Sequence, residues 1–141
     1  MAEQGSDFPA GVVVSPGWAS FYESTRIPAA RRVGNRLWVT GHTGDGPDGS
    51  FSADARAQLR QTFGNLERTL RQAGARWSDV TALTSFHVGL RSQSAFLLEV
   101  AAGFLSDPYP AWTAVGVSEL FEPPALVEIS CEAVLGNEAG D

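Results

Sequence analysis

Few side chains in this chain can do chemistry, and their spacing is informative. Glu128 stands between Val127 and Ile129 in a run that alternates as a half-buried strand does, so its carboxylate faces away from both neighbours. On a solvated face it is an ordinary polar strand residue. In a pocket it is a group able to hold or deprotonate a water. His42 follows Thr40-Gly41, where a strand gives way to a Gly-rich loop, a common place for functional side chains. His87 lies within a strand beside Phe86, and a hydrogen-bonded interface histidine is the plainer reading for it. Either histidine can act as a general acid or base near neutral pH. Cys131 alternates to the side opposite Glu128 and reads as a small buried hydrophobe.

Composition removes several chemistries. One cysteine and two histidines make neither an internal disulfide nor a zinc site, so no metal is expected. All ten basic residues are arginine. Without lysine there is no Schiff base, hence no standard pyridoxal phosphate or class I aldolase chemistry, and no cofactor is expected. A net charge of −6 and a pI near 4.8 lack the electrostatic footprint of a nucleic-acid binder. The cluster of Arg26, Arg31, Arg32 and Arg36 reads as a solvated strand edge or as inter-subunit salt links. No apolar run approaches the ~20 residues of a membrane span. The first sixteen residues lack the basic start and apolar core of a signal peptide. A cytoplasmic protein, with no membrane partner, is expected.

The elements that must position these residues follow from periodicity. The 141 residues, 43% apolar and 18% charged, fit one domain with a real core. Residues 1–10 read as a loose tail and 11–14 as a short edge strand. Residues 16–24 look loop-like but carry Trp18, Phe21 and Tyr22, which pack on something. Residues 29–34 and 37–40 read as a hairpin about Gly34-Asn35. The clearest helix spans 52–74, with Ser52 as N-cap, Gly74 past its end, and Leu59, Phe63, Leu66 and Leu70 in one stripe. A strand over 80–88, a helix over 92–105, and strands over 112–117 and 126–135 complete a β-β-α-β-α-β-β order. That order is α+β, with two helices free to cover one sheet face. If they do, the other face still carries Leu37, Val39, Phe86 and Val127, and another chain must cover it.

Several segments in this order resemble the RidA (YjgF) family of enamine/imine deaminases. They are VGNRLWVTGH, AQLRQTFGNLERTLRQAGA with Gln58, Asn65, Leu66, Ala73 and Gly74 at family-like positions, WSDVTALTSFHVGL, and YPAWTAVGVSELFEPPALVEISCEAVL. The match covers roughly residues 29 to 135. It implies a chorismate-mutase-like α+β domain over residues 26–136, with an N-terminal extension over 1–25 and a C-terminal tail over 137–141. It also implies a homotrimer whose three sheets close an inner barrel, with small-molecule clefts between subunits.

The resemblance assigns roles as well. It places Glu128 on the glutamate that orients the attacking water; His42 or His87 would assist on their own acid–base chemistry, His42 standing where the family has a glutamine. It places Thr113 where a Ser/Thr can donate to a ligand oxygen. The family's deaminases grip a substrate carboxylate with an arginine, and Trp112 stands at that position, either as a core aromatic or as a pocket wall that favours an apolar or aromatic ligand. Ile27 stands near the family's tyrosine, and Tyr22 lies further upstream. The expected function is therefore action on an imine, enamine or related apolar or aromatic metabolite, with Trp112, Thr113, Ile27 and Tyr22 on the ligand, in place of standard 2-iminoacid deamination. A binding or regulatory module without turnover is the alternative. The family's ribonuclease label fits an acidic chain least well.

Overall fold

The structure is a computed structural model, and it describes residues 8–136. The C-terminal tail expected over 137–141 and most of the loose tail expected over 1–10 lie outside the described residues. Six strands form one mixed sheet: β1 (Val12–Val13), β2 (Ala30–Val33), β3 (Arg36–Thr43), β4 (Val80–His87), β5 (Ala111–Gly116) and β6 (Val127–Val134). Their spatial order is β1-β2-β3-β6-β4-β5. β6 lies antiparallel between β3 and β4, and β5 runs parallel to β4 at an edge. The helices are α1 (Ala19–Thr25), α2 (Ala55–Gln72) and α3 (Leu90–Ala101).

The β2–β3 hairpin turns at Gly34-Asn35, pairing Val33 with Arg36, with Gly34 at φ +61. Helix α2 buries its stripe of Leu59, Phe63, Leu66 and Leu70 against the sheet. Its N-cap is Asp54, whose Oδ2 accepts the Ala57 N–H at 3.0 Å. Ser52, the residue expected to cap, instead accepts the Asp54 N–H on its hydroxyl at 3.1 Å, two residues too early to reach the helix amides. Helix α3 starts at Leu90, two residues before its expected start, after Gly89 at φ +85.

Segment 16–24 departs most from expectation, since most of it is α1. Seven residues are too few to show a periodic stripe. Neighbouring contacts hold the turn instead. Arg26 N–H bonds the Tyr22 carbonyl at 2.7 Å, and the Trp18 indole N–H donates to the Ile27 carbonyl at 2.9 Å.

The two sheet faces also sort differently from expectation. Leu37, Val39 and Val127 lie in the helix-side core, all at most 3% exposed. The open face instead carries the alternate set. Register places Trp38 beside Glu132, Thr84 beside Ser130, and Phe86 beside Glu128 and Val115. Of the four apolar residues expected there, only Phe86 belongs to it.

Candidate functional site

At residues 40–42 strand β3 breaks register, its pairing with β6 shifting between Val39 and His42. The slip sends His42 back into the core side and leaves Gly41 beneath Glu128. A Cβ on Gly41 would collide with the Glu128 carboxylate, so glycine is what lets that carboxylate lie against the β3 backbone. Thr43 and Glu128 then pair directly.

Two loops rise on either side, and α2 fixes both. Asn65 donates to the carbonyls of Thr43 and Asp45, each at 2.9 Å. Gln58, fully buried, donates to the carbonyls of Ser52 at 2.8 Å and Pro124 at 2.9 Å, while its Oε1 accepts the Leu126 N–H at 2.8 Å. One side chain thus holds both the loop after β3 and the loop after β5. With α1 as a third wall they enclose a cleft of about 530 Å³. Trp18, Phe21, Phe51 and Phe121 supply its aromatic surface; Asp45, Arg68, Glu122 and Glu128 supply its charge.

Glu128 is half-buried, and no described residue hydrogen-bonds or ion-pairs its carboxylate. Desolvation raises its pKa above the ordinary glutamate value. A carboxylate that no described residue neutralises and that faces a cleft is available for proton transfer.

His42 is committed elsewhere. Its Nδ1 lies 2.6 Å from the Thr40 carbonyl and its Nε2 2.8 Å from Thr69 Oγ1. A carbonyl only accepts, so Nδ1 carries the proton, Nε2 accepts from the Thr69 hydroxyl, and Thr69 accepts from Ser15 at 2.8 Å. Burial lowers the His42 pKa to about 4, so the ring is neutral at physiological pH. Trp18 stacks on it at 4.6 Å. His42 therefore borders the cleft as the seat for Trp18 and α1.

His87 lies away from the cleft. Gln93 donates its amide N–H groups to the carbonyls of Val88 and Leu126, both at 3.0 Å. Its Oε1 therefore accepts from His87 Nδ1 at 2.8 Å. His87 Nε2 accepts from Ser85 Oγ at 2.8 Å, and Ser85 accepts the Trp112 indole N–H at 2.9 Å. This chain stitches β5, β4 and α3 together inside the core.

The remaining sequence-derived site residues separate. Ile27 lines the cleft. Tyr22 does not; its ring stands edge-on to Phe8 and beneath the Arg26 guanidinium. Trp112 and Glu128, expected on one pocket wall, lie on opposite faces of the sheet within the chain. Trp112 pairs with the buried Leu83 and sets its ring edge against Phe63. Thr113 shares the Glu128 face but sits exposed on β5, level with Thr84 and Ser130 and outside the cleft lining. Trp18 and Phe21 were visible only as an aromatic run with something to pack on. Asp45, Arg68, Phe121 and Glu122 carried no sequence signal, because loop paths bring them in.

The family model described as Endoribonuclease L-PSP matches residues 23–135. The RutC family protein YjgH of Escherichia coli is 39% identical over 121 residues, covering 85% of this chain and 88% of the relative. A 2-iminobutanoate/2-iminopropanoate deaminase of Dermatophagoides farinae is 27% identical over 110 residues, covering 75% and 81%. A solved structure of protein YjgH superposes with a TM-score of 0.79 at 36% identity, over 90% of this chain and 97% of that one. With most of its length matched in both sequence and fold, the chain belongs to the Endoribonuclease L-PSP family, the RidA/YjgF proteins.

Proposed function

We propose that this chain acts on a small imine, enamine or related metabolite bearing an apolar or aromatic group, with Glu128 as its acid–base residue. The observation that carries this reading is the unpaired, half-buried Glu128 carboxylate facing an aromatic cleft. In hydrolysis of an imine, Glu128 accepts a proton from water as its oxygen adds to the C=N carbon. It returns that proton to nitrogen, and the carbinolamine collapses to a carbonyl compound and ammonia or an amine. A deaminase among the relatives supports the reaction class.

Substrate preference then rests on Trp18, Phe21 and Phe121, since Trp112 faces the helices. No arginine stands on β5, and Arg68 of α2 reaches the Asn65 amide at 3.5 Å. Small aliphatic 2-iminoacids are therefore expected to turn over far more slowly than with a relative that keeps the β5 arginine.

The test couples an amino-acid or amine oxidase to ammonia or semicarbazone detection. Glu128→Gln should lower kcat by about 10²–10⁴-fold. Full activity in that variant refutes the role. A binding module without turnover is the second reading. It is favoured by the full engagement of both ring nitrogens in each histidine, and binding with no product from any imine would establish it.

A further inference from the structure

Among the described residues the charges of the cleft do not balance: three carboxylates, Asp45, Glu122 and Glu128, face one guanidinium, Arg68. The Asn65 amide joins two of these charges. Its Oδ1 accepts from Arg68 at 3.5 Å, and its Nδ2 faces Asp45 Oδ1 at 3.4 Å. Arg68 and Asp45 thus meet the same neutral side chain. Glu128 and Glu122 remain, with no cation paired to either among the described residues. His42 adds no positive charge, because it is neutral at physiological pH.

The apolar part of the site points the same way. The Trp18 ring is fixed from below by stacking on His42 and from the side by Phe21, 5.3 Å away and edge-on. Phe121, next to Glu122 at the opposite rim, is 84% exposed. Aromatic faces attract cations through their quadrupole, and more strongly where water is excluded. Carboxylates set against such rings form a recognition surface for a positively charged ligand with an apolar body.

From this juxtaposition we infer that the cleft selects an organic cation: the ammonium or iminium form of a small aromatic or branched molecule that carries no carboxylate. The inference rests on the assignment of this cleft as the ligand site and not on turnover. The iminium, the protonated form of an imine, is also its more electrophilic form, so the selected charge state is the one that adds water.

Titration calorimetry on the intact protein at neutral pH tests this with three probes sharing one ring: benzylammonium, benzyl alcohol and benzoate. Benzylammonium should bind about tenfold more tightly than benzyl alcohol, with benzoate weakest. Glu122→Gln should weaken benzylammonium severalfold and leave benzyl alcohol unchanged. Arg68→Gln should strengthen benzylammonium. Tightest binding by benzoate, equal binding of all three, or binding by none overturns the inference. Ammonia release measured in parallel separates it from the enzymatic reading. Cation preference without turnover of any imine leaves this inference standing and removes the enzyme. Turnover inhibited by benzoate and not by benzylammonium does the reverse.

Discussion

Glu128 is half-buried and unpaired, so the fold itself opposes its ionisation. A base must be ionised to work. The acid limb of kcat/KM should therefore lie above pH 4.5, the ordinary glutamate value, and vanish in Glu128→Gln. The same shift has a thermodynamic sign. A folded pKa above the unfolded one means the native state holds its proton longer, so stability falls as pH rises through that window. Glu128→Gln should then match or exceed the parent in melting temperature at pH 7 while losing activity. His42 has the opposite sign. Its folded pKa is about 4 against 6.5 unfolded, so the unfolded chain takes up the proton first on acidification. Its contribution, on the order of 3 kcal/mol, is complete above pH 6.5 and is lost as pH falls toward 4. Chemical denaturation between those values should show stability rising with pH, and His42→Gln should flatten that slope. At this scale the sequence was readable for Glu128, because strand alternation fixes its face. It was misleading for His42 and for Trp112, because a side chain's hydrogen-bond partners come from elements far away in the chain; His87 is the hydrogen-bonded histidine of its plainer reading, set in the core instead of at an interface.

Among the elements, the bulge in β3 and the clamp on α2 build the cleft. Gly41 leaves no room for a side chain beneath Glu128. Gly41→Ala should cost roughly 1–3 kcal/mol, as overpacking does, and should suppress activity by displacing the carboxylate. Removing the obstacle should remove most of that cost. In a double-mutant cycle by urea denaturation, Gly41→Ala should be far milder in a Glu128→Ala background. Additive effects would mean that the two positions are not in contact. Gln58→Met fills similar space but abandons Ser52, Pro124 and Leu126. The expected loss is roughly 2–4 kcal/mol, with both cleft loops exchanging amide hydrogens faster. The long stripe of α2 and the Gly34-Asn35 hairpin were legible because periodicity and turn chemistry are local. The bulge was not, since an extra residue in a strand shows only against its partner. Helix α1 was not either, since tertiary contacts hold it more than propensity does.

For the whole molecule, the helices cover one face of the sheet and leave Trp38, Phe86 and Val115 on the other, with Trp38 39% and Val115 36% exposed. This patch is thinner than the alternation of apolar residues implied, since Leu37, Val39 and Val127 pack under the helices. It still joins a free edge. Strand β5 is six residues long and, among the described residues, has a neighbour on one side only, and a row of unpaired backbone groups invites cover. The homotrimer implied by the family resemblance would cover both, setting β5 and the Val115 face against the next subunit. Light scattering should then give about three times the 15.0 kDa chain mass. Val115→Lys places a charge in that contact without touching the helix-side core, so it should lower the mass while leaving the circular dichroism unchanged. It should also reduce turnover if residues of a second subunit complete the cleft. A parent protein that scatters as 15.0 kDa at micromolar concentration would show that the patch stays wet and that the cleft works within one chain. A trimer indifferent to Val115→Lys would move the interface to the other end of the sheet, where Arg36 lies over Trp38 at 5.5 Å, and would make Trp38→Lys the variant that dissociates it.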